Sequence, residues 1–162
     1  MVKFPITEKG FKLLEKEIKY LKYVERPSII EDISTAREFG DLSENAEYHA
    51  AREKQSFAEG RILDLEDKLS RAEIIDTSKL SKESVKFGAT VKIIDDDTEK
   101  EATYIIVGEY EANIAKKRVS VQSPIARSLI GRAVGDIVEV ITPRNKKVFE
   151  ILDISYDNIS LD

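Results

Sequence analysis

The stretch AREFGDLSENAEYHAAREKQ, residues Ala36–Gln55, lies between two long segments with helical patterning. Residues 38–47 contain no lysine or arginine and hold four carboxylates, at Glu38, Asp41, Glu44 and Glu47. Basic residues resume on both sides, at Arg37 and Arg52. Gly40 ends the first patterned segment. The stretch therefore predicts the bend of a helical hairpin with a purely acidic tip.

The segment before the bend is patterned as one long helix. Thr7 is a candidate N-cap, and apolar residues follow at 3-4-3 spacing at Phe11, Leu14, Ile18 and Leu21. We expect the apolar stripe to continue, in a shifted register, through Val24, Ile30, Ile33 and Ala36. An interior proline lacks an amide donor and clashes with the preceding turn, so Pro27 predicts a kink or a local break.

The segment after the bend carries a cleaner pattern of alternating 3 and 4 spacing, at Tyr48, Ala51, Gln55, Ala58, Ile62, Leu65, Leu69 and Ala72. Such a narrow seam favours a partner helix. Because the loop between the two segments is short, they should fold back on each other as an antiparallel coiled-coil hairpin. An oligomerising coiled coil is the competing interpretation, but it gives no reason for an acidic bend.

The second half of the chain changes to strand patterning. Candidate strands are GATVKII, ATYIIVG, KRVSVQ, DIVEVIT and KVFEILDIS. SPIARSLIG predicts a short helix, with Ser123 as N-cap, Pro124 at the first helical position and Gly131 after the end. We predict an α+β protein with a hairpin over residues 1–76, a linker over 77–84 and a domain with a mostly antiparallel sheet over 85–162.

Composition limits the classes of function. The 162 residues include 31 acids and 26 lysines and arginines, so the net charge is −5, which disfavours non-specific duplex binding over a broad basic face. The absence of cysteine excludes disulfides and thiolate metal sites. The first residues lack an unbroken apolar run, so we expect no signal peptide or membrane span and a cytoplasmic location.

Asp41 and Glu44 are the candidate chemical groups. They also fit a capping box at a helix start, with Ser43 as an alternative cap. Capping does not explain why the whole bend lacks a cation. Mg²⁺ is usually held by one or two carboxylates together with waters and substrate phosphates. The pair is too small to cage a metal, but it could complete a site that a partner supplies.

Four blocks carry a resemblance to a known family: the tip stretch, EGRI, FGATV and SPIARSLIG. In order and spacing they resemble the bacterial Gre transcript cleavage factors, the GreA type in particular, over nearly the whole chain. The resemblance implies a C-terminal domain like that of FK506-binding proteins, which docks near the mouth of the secondary channel of RNA polymerase. It also implies that the coiled coil enters the channel and that the polymerase cuts backtracked RNA.

The resemblance also implies roles for individual residues. The tip acids Asp41 and Glu44 would help the polymerase to hold its second Mg²⁺ and to orient the attacking water, so the chain would be no enzyme by itself and would bind no cofactor tightly alone. The implied contacts with the 3′ end of nascent RNA or with the channel are Arg37, Ser43 and Arg52. The implied polymerase-docking residues are Gln122, Ser123 and Pro124. DNA binding, as part of transcription regulation, is implied as well.

Several alternatives stay open at the level of sequence. Arg37 and Arg52 could instead pair with Glu38 or Glu53 as ordinary helix charges. The chain could be a channel-binding regulator that does not stimulate cleavage, a structural coiled-coil protein or, from its second domain, a peptidyl-prolyl isomerase. We expect a monomer, because the hairpin already covers its own seam.

Overall fold

A computed structural model describes residues 2–41, 43–77 and 80–156. The chain divides into two compact units, one of residues 12–71 and one that joins residues 2–11 to the chain from Ala72 onward. The α+β prediction is confirmed. The division differs from the predicted boundary at residue 76, because a short N-terminal strand pairs with a strand that begins at Ala72. The predicted linker and the predicted last domain lie partly outside the described residues.

The first helical run consists of α1 (Glu8–Tyr20), a π-helical turn (Leu21–Glu25) and α2 (Arg26–Arg37). Helix α3 (Ala46–Arg71) follows the bend. Between α2 and α3 a small apolar cluster is buried, made of Ile29, Ile33, Ala51 and Ala58, and Tyr48 packs against it. The predicted hairpin of two helices is therefore present.

The π-helical turn lies directly before Pro27 and accommodates it within the helical run. The amide of Arg26 donates to the carbonyl of Leu21, five residues earlier, and Pro27 then sits at the start of α2, where its missing amide costs little. The turn holds one more residue than an α-helical turn, so it rotates the face that follows. Val24 and Ile30 were predicted to be buried; this is wrong, since they are 55% and 52% exposed.

Ion pairs join the two helical runs of the hairpin. The Arg26 guanidinium donates to both oxygens of Glu59, at 2.7 and 2.9 Å. Lys22 pairs with Glu66, and Arg61 donates to Glu17 at 2.8 Å. Each of these partly exposed pairs adds little stability by itself. The fork-shaped Arg26 contact also restricts geometry, so it helps to fix the register of the helices.

Asn45 begins α3. Its side-chain oxygen accepts from the Tyr48 amide at 3.0 Å, which is the bond an N-cap makes to the third helical residue. The competing interpretation, in which Asp41 and Glu44 form a capping box or Ser43 is the cap, does not hold for α3. The far end of the predicted seam also differs, because α3 ends at Arg71 and Ala72 begins a strand.

The other unit is built on two sheets. In the small one, β1 (Phe4–Ile6) runs parallel to β2 (Ala72–Ile74). The large one has the order β5-β4-β3-β7-β6, and its strands are β3 (Thr90–Asp95), β4 (Glu101–Val107), β5 (Arg118–Ser120), β6 (Ile137–Ile141) and β7 (Lys146–Ser155). Only the β4–β5 pair of the large sheet is parallel. All five predicted strands are confirmed, and the β1–β2 pair was not predicted.

Helix α4 (Pro124–Leu129) covers the large sheet. Ser123 caps it, since its side chain accepts from the Ala126 amide, as predicted. The core beneath it is apolar throughout, made of Val85, Ala89, Val91, Ile93, Ile106, Val119, Ala126, Leu129, Val138, Val140, Ile151 and Ile154. Among the described residues, no helix is long and apolar enough to cross a membrane.

A buried carboxylate ties the N-terminal segment to this unit. Glu111 accepts from the Thr7 amide at 3.1 Å and from the Thr7 hydroxyl at 2.6 Å. The Thr7 hydroxyl in turn accepts from the Gly10 amide at 3.0 Å, which confirms Thr7 as the N-cap of α1. A Cβ at Gly10 would lie 2.5 Å from the Glu111 side chain, so a larger residue at this position would force that carboxylate to move. Burial raises the pKa of Glu111, and the bonds from Thr7 oppose that rise.

Replacing Asn45 with alanine should destabilise the hairpin, because the cap of α3 and a second bond to the carbonyl of Ala36 are both lost. The cap alone is worth roughly 0.5–2 kcal/mol. The measurement is the free energy of unfolding from urea denaturation followed by circular dichroism. Ser43→Ala is the control and should change it by less than about 0.5 kcal/mol. Equal losses in the two variants would contradict the assignment of the cap.

Replacing Glu111 with glutamine should change how stability depends on pH. A folded-state pKa above the ordinary one means that the carboxyl group stabilises the fold fully below its ordinary pKa. That contribution is lost as the pH rises through the folded-state pKa. The free energy of unfolding of the native chain, relative to Glu111→Gln, should therefore fall as the pH rises above the ordinary pKa of a glutamate. If the difference in free energy of unfolding between the native chain and Glu111→Gln stays constant or grows with pH, the raised pKa of Glu111 is contradicted.

Candidate functional site

The acidic tip presents its two candidate carboxylates to solvent. Asp41 and Glu44 are both exposed. One oxygen of Asp41, Oδ1, accepts from the amide of Ser43 at 3.1 Å and from its hydroxyl at 2.8 Å. These bonds lower the pKa of Asp41, the hydroxyl bond contributing most. Asp41 is therefore ionised at neutral pH, and among the described residues no hydrogen bond occupies its other oxygen.

Neither tip acid is neutralised by another residue that the structure describes. Within the described ranges no ion pair involves Asp41 or Glu44, and the salt bridges of the hairpin lie farther along the helices. The two acids have no part in capping α3 either. Both charges are thus available to a ligand from outside.

The bend itself is held by backbone and amide hydrogen bonds. The last amides of the first run bond three residues back, up to Gly40, whose φ of +101° suits only glycine well. The Asn45 side chain donates to the carbonyl of Ala36 at 2.6 Å, across the bend. A nitrogen of the His49 ring lies 3.3 Å from the Ser43 carbonyl. Sequence reasoning missed Asn45, although an asparagine directly before a helix is a common N-cap signal.

Arg37 and Arg52 are both exposed near the tip. The Arg37 guanidinium lies 5.8 Å from the centre of the Tyr48 ring, within the range of a cation–π contact. Tyr48 is half-buried against the α2–α3 cluster, so its ring serves packing and holds the arginine. Among the described residues, neither arginine forms the alternative ion pair with Glu38 or Glu53.

The described residues of the tip do not form a complete metal site by themselves. No group of three or more metal-binding side chains lies together within the described part of the chain. Two exposed carboxylates, one with a free oxygen, still fit the way in which Mg²⁺ is usually bound, by one or two carboxylates and by oxygens from water and phosphate. The donor set fits a shared Mg²⁺ whose remaining ligands come from elsewhere.

The predicted docking residues lie beside a mostly apolar cavity of about 550 Å³ in the sheet unit. Ser123 and Pro124 line it, together with Tyr104, Ile114, Val119, Ile125, Val140 and Phe149. Gln122 is exposed and is not among the lining residues. Ile114 is 74% exposed at the rim, so the cavity opens on an apolar edge. Such a surface can accept an apolar side chain of a partner.

Two family models match the chain. Residues 4–74 match the N-terminal model of the transcription elongation factors, and residues 80–156 match the C-terminal model of the GreA/GreB factors. "Transcription elongation factor GreA" of Rickettsia typhi is 66% identical over 159 residues, which cover 98% of each chain. The factor of the same name from Orientia tsutsugamushi is 58% identical over 156 residues, or 96% of this chain and 98% of that one.

Among solved structures, the GreA factor homolog 1 of Thermus thermophilus is 26% identical and has a TM-score of 0.44, with 94% of this chain and 99% of that one covered. The classification comes from the family models and the high identities. The chain belongs to the GreA/GreB family of transcription elongation factors.

Proposed function

We propose that this elongation factor stimulates cleavage of backtracked nascent RNA by RNA polymerase, with the hairpin in the secondary channel and the acidic tip at the polymerase active centre. The observation that carries the proposal is the pair of exposed carboxylates at the tip, which none of the described residues neutralises and which do not make the capping bond of α3. The chain acts in trans and is not an enzyme by itself.

Asp41 and Glu44 would hold a Mg²⁺ ion that they share with the polymerase. Asp41 offers its free oxygen, while Ser43 orients the other and keeps the group ionised. The metal, when bound, stabilises the negative charge that develops in phosphoryl transfer. A lysine at the apex would repel this cation, which accounts for a bend without basic residues.

Arg37, Ser43 and Arg52 would contact the RNA phosphates or the channel wall. The contact with Tyr48 positions the Arg37 guanidinium without neutralising it, so its charge is still available to a phosphate. Arg52 is exposed one helical turn beyond Tyr48. DNA binding and the likeness of the sheet unit to FK506-binding proteins stay predictions.

The cavity beside α4 would dock the polymerase. Ser123 and Pro124 line it, and the exposed Ile114 extends its apolar surface. An apolar partner side chain seated there would be removed from water, which favours association in proportion to the area buried. The sheet unit would thus supply affinity and the tip would supply chemistry.

The double substitution Asp41→Ala/Glu44→Ala should abolish stimulated cleavage, with a loss of about 10²-fold or more, since removal of one electrostatic stabiliser already costs that much in enzymes. The measurement is the release of 3′ RNA fragments from a stalled, backtracked bacterial polymerase complex with Mg²⁺. Polymerase binding should persist, and the free energy of unfolding should change by less than about 0.5 kcal/mol.

The matched control for the tip is Glu38→Ala/Glu47→Ala, which removes two other acids of the same bend. It should keep most of the cleavage stimulation. Full cleavage by the Asp41→Ala/Glu44→Ala variant would contradict the mechanism. Binding without stimulation by the native chain would indicate a channel-blocking regulator instead.

Replacing Ile114 with aspartate should weaken polymerase binding by about tenfold or more, because a carboxylate at the rim of the cavity loses its water without gaining a partner. Ile141→Asp is the matched control. Ile141 is 70% exposed, close to the 74% of Ile114, but it does not line the cavity. Titration of labelled polymerase measures both affinities. Equal effects of the two substitutions would contradict docking through the cavity.

A further inference from the structure

The outward side of α1 and of the π-helical turn carries a set of exposed side chains that we call the lysine–tyrosine face: Lys12, Lys16, Lys19, Tyr20 and Tyr23. Successive residues of an α-helix turn by about 100°, so these positions lie opposite the buried seam of α1. Tyr20 and Tyr23 are 54% and 74% exposed, although tyrosine rings are commonly half-buried. Packing within the unit therefore does not account for the two rings.

Two lysines of this face, Lys16 and Lys19, differ from Lys22 and Arg26 of the same helical run. Lys22 and Arg26 are each bound to a glutamate of α3. By contrast, no ion pair among the described residues holds Lys16 or Lys19, although Glu15 lies four residues before Lys19 in a favourable arrangement. The hairpin thus leaves positive charge on its outer side next to two exposed aromatic rings.

We infer that the lysine–tyrosine face binds single-stranded nucleic acid. Proteins that bind single strands combine positive charge along the phosphate backbone with aromatic rings on which bases stack. The lysines extend over about 10 Å of the helix axis, and the tyrosines continue the same side for about one further turn. The lysines could therefore contact the phosphates of a few nucleotides while the neighbouring tyrosines stack on their bases.

Other ligands of the same charge fit the face less well. Duplex DNA requires a broad basic surface, whereas this face is one helix wide and belongs to a chain of net charge −5. An acidic protein surface would use the lysines, but it would give no reason for two neighbouring rings to stand in solvent. Bases use both features, since every base offers a face for stacking.

This face is separate from the proposed cleavage function. Tyr23 lies fourteen residues before Arg37 in the same helical run, which corresponds to about 20 Å along the axis. None of the five side chains belongs to the tip or to the docking cavity. The inference can therefore be tested on the free protein, without polymerase or Mg²⁺.

The experiment is a fluorescence-anisotropy titration of labelled oligouridine and oligothymidine, each of about 12 nucleotides, with the full chain. Salt is varied between about 50 and 200 mM. The variants are Lys16→Gln/Lys19→Gln and Tyr20→Leu/Tyr23→Leu. Lys82→Gln/Lys100→Gln removes the same charge from exposed positions of the other unit and is the matched control. Circular dichroism verifies the helix content of each variant.

We expect the native chain and the control to bind at low salt. The lysine variant should lose affinity, and the slope of its log K against log salt should become shallower by about 1.4, since each phosphate contact to a single strand contributes about 0.7. The tyrosine variant should bind about tenfold more weakly with an unchanged slope, because it loses stacking and keeps the charge.

Three results would overturn the inference. The first is the absence of binding at the lowest salt. The second is an equal loss in the control, which would indicate diffuse electrostatics. The third is tighter binding of a labelled polyglutamate peptide than of either oligonucleotide, which would assign the face to an acidic protein partner.

Discussion

The hydrogen bonds of Asn45 close the end of the hairpin, and the exposure of the two tip acids depends on them. A bend between two helices must satisfy the last carbonyls of one and the first amides of the next. The Asn45 side chain does both, since it donates to the Ala36 carbonyl and accepts from the Tyr48 amide. Asp41 and Glu44 are thereby released from capping. Their charges stay exposed, which a shared metal site requires.

The π-helical turn determines which side chains of the first helical run are buried. Because Pro27 cannot donate, the chain inserts one extra residue before it, and the helix continues with a rotated face. The buried positions pass from Leu21 to Ile29, so Tyr23 and Val24 of the turn are exposed to solvent. One missing amide hydrogen thus determines which residues of the hairpin are buried and which are exposed.

In the sheet unit, single side chains serve both the fold and the proposed docking surface. Ser123 accepts from the Ala126 amide as the cap of α4 and also lines the apolar cavity. The Ser123–Pro124 pair can therefore both start α4 and belong to the proposed docking surface. Glu111 also serves the fold. Its buried carboxylate accepts two hydrogen bonds from Thr7 and so holds Thr7 in place as the cap of α1, while burial raises the pKa of Glu111.

The sequence by itself determined the elements whose signal is local. Periodicity predicted the hairpin and all five strands of the large sheet, and the Ser123–Pro124 pair predicted α4, because spacing and capping act within a few residues. It also identified the exposed acids of the tip. Only the tertiary structure decided the β1–β2 pair, which joins segments distant in sequence, and the burial of Ile29 in place of Ile30, which follows from the π-helical turn. The choice of Asn45 over Asp41 as the cap was decided in the same way, because several residues of the bend can accept an amide bond and only the path of the closed hairpin brings Asn45 within reach of both helices.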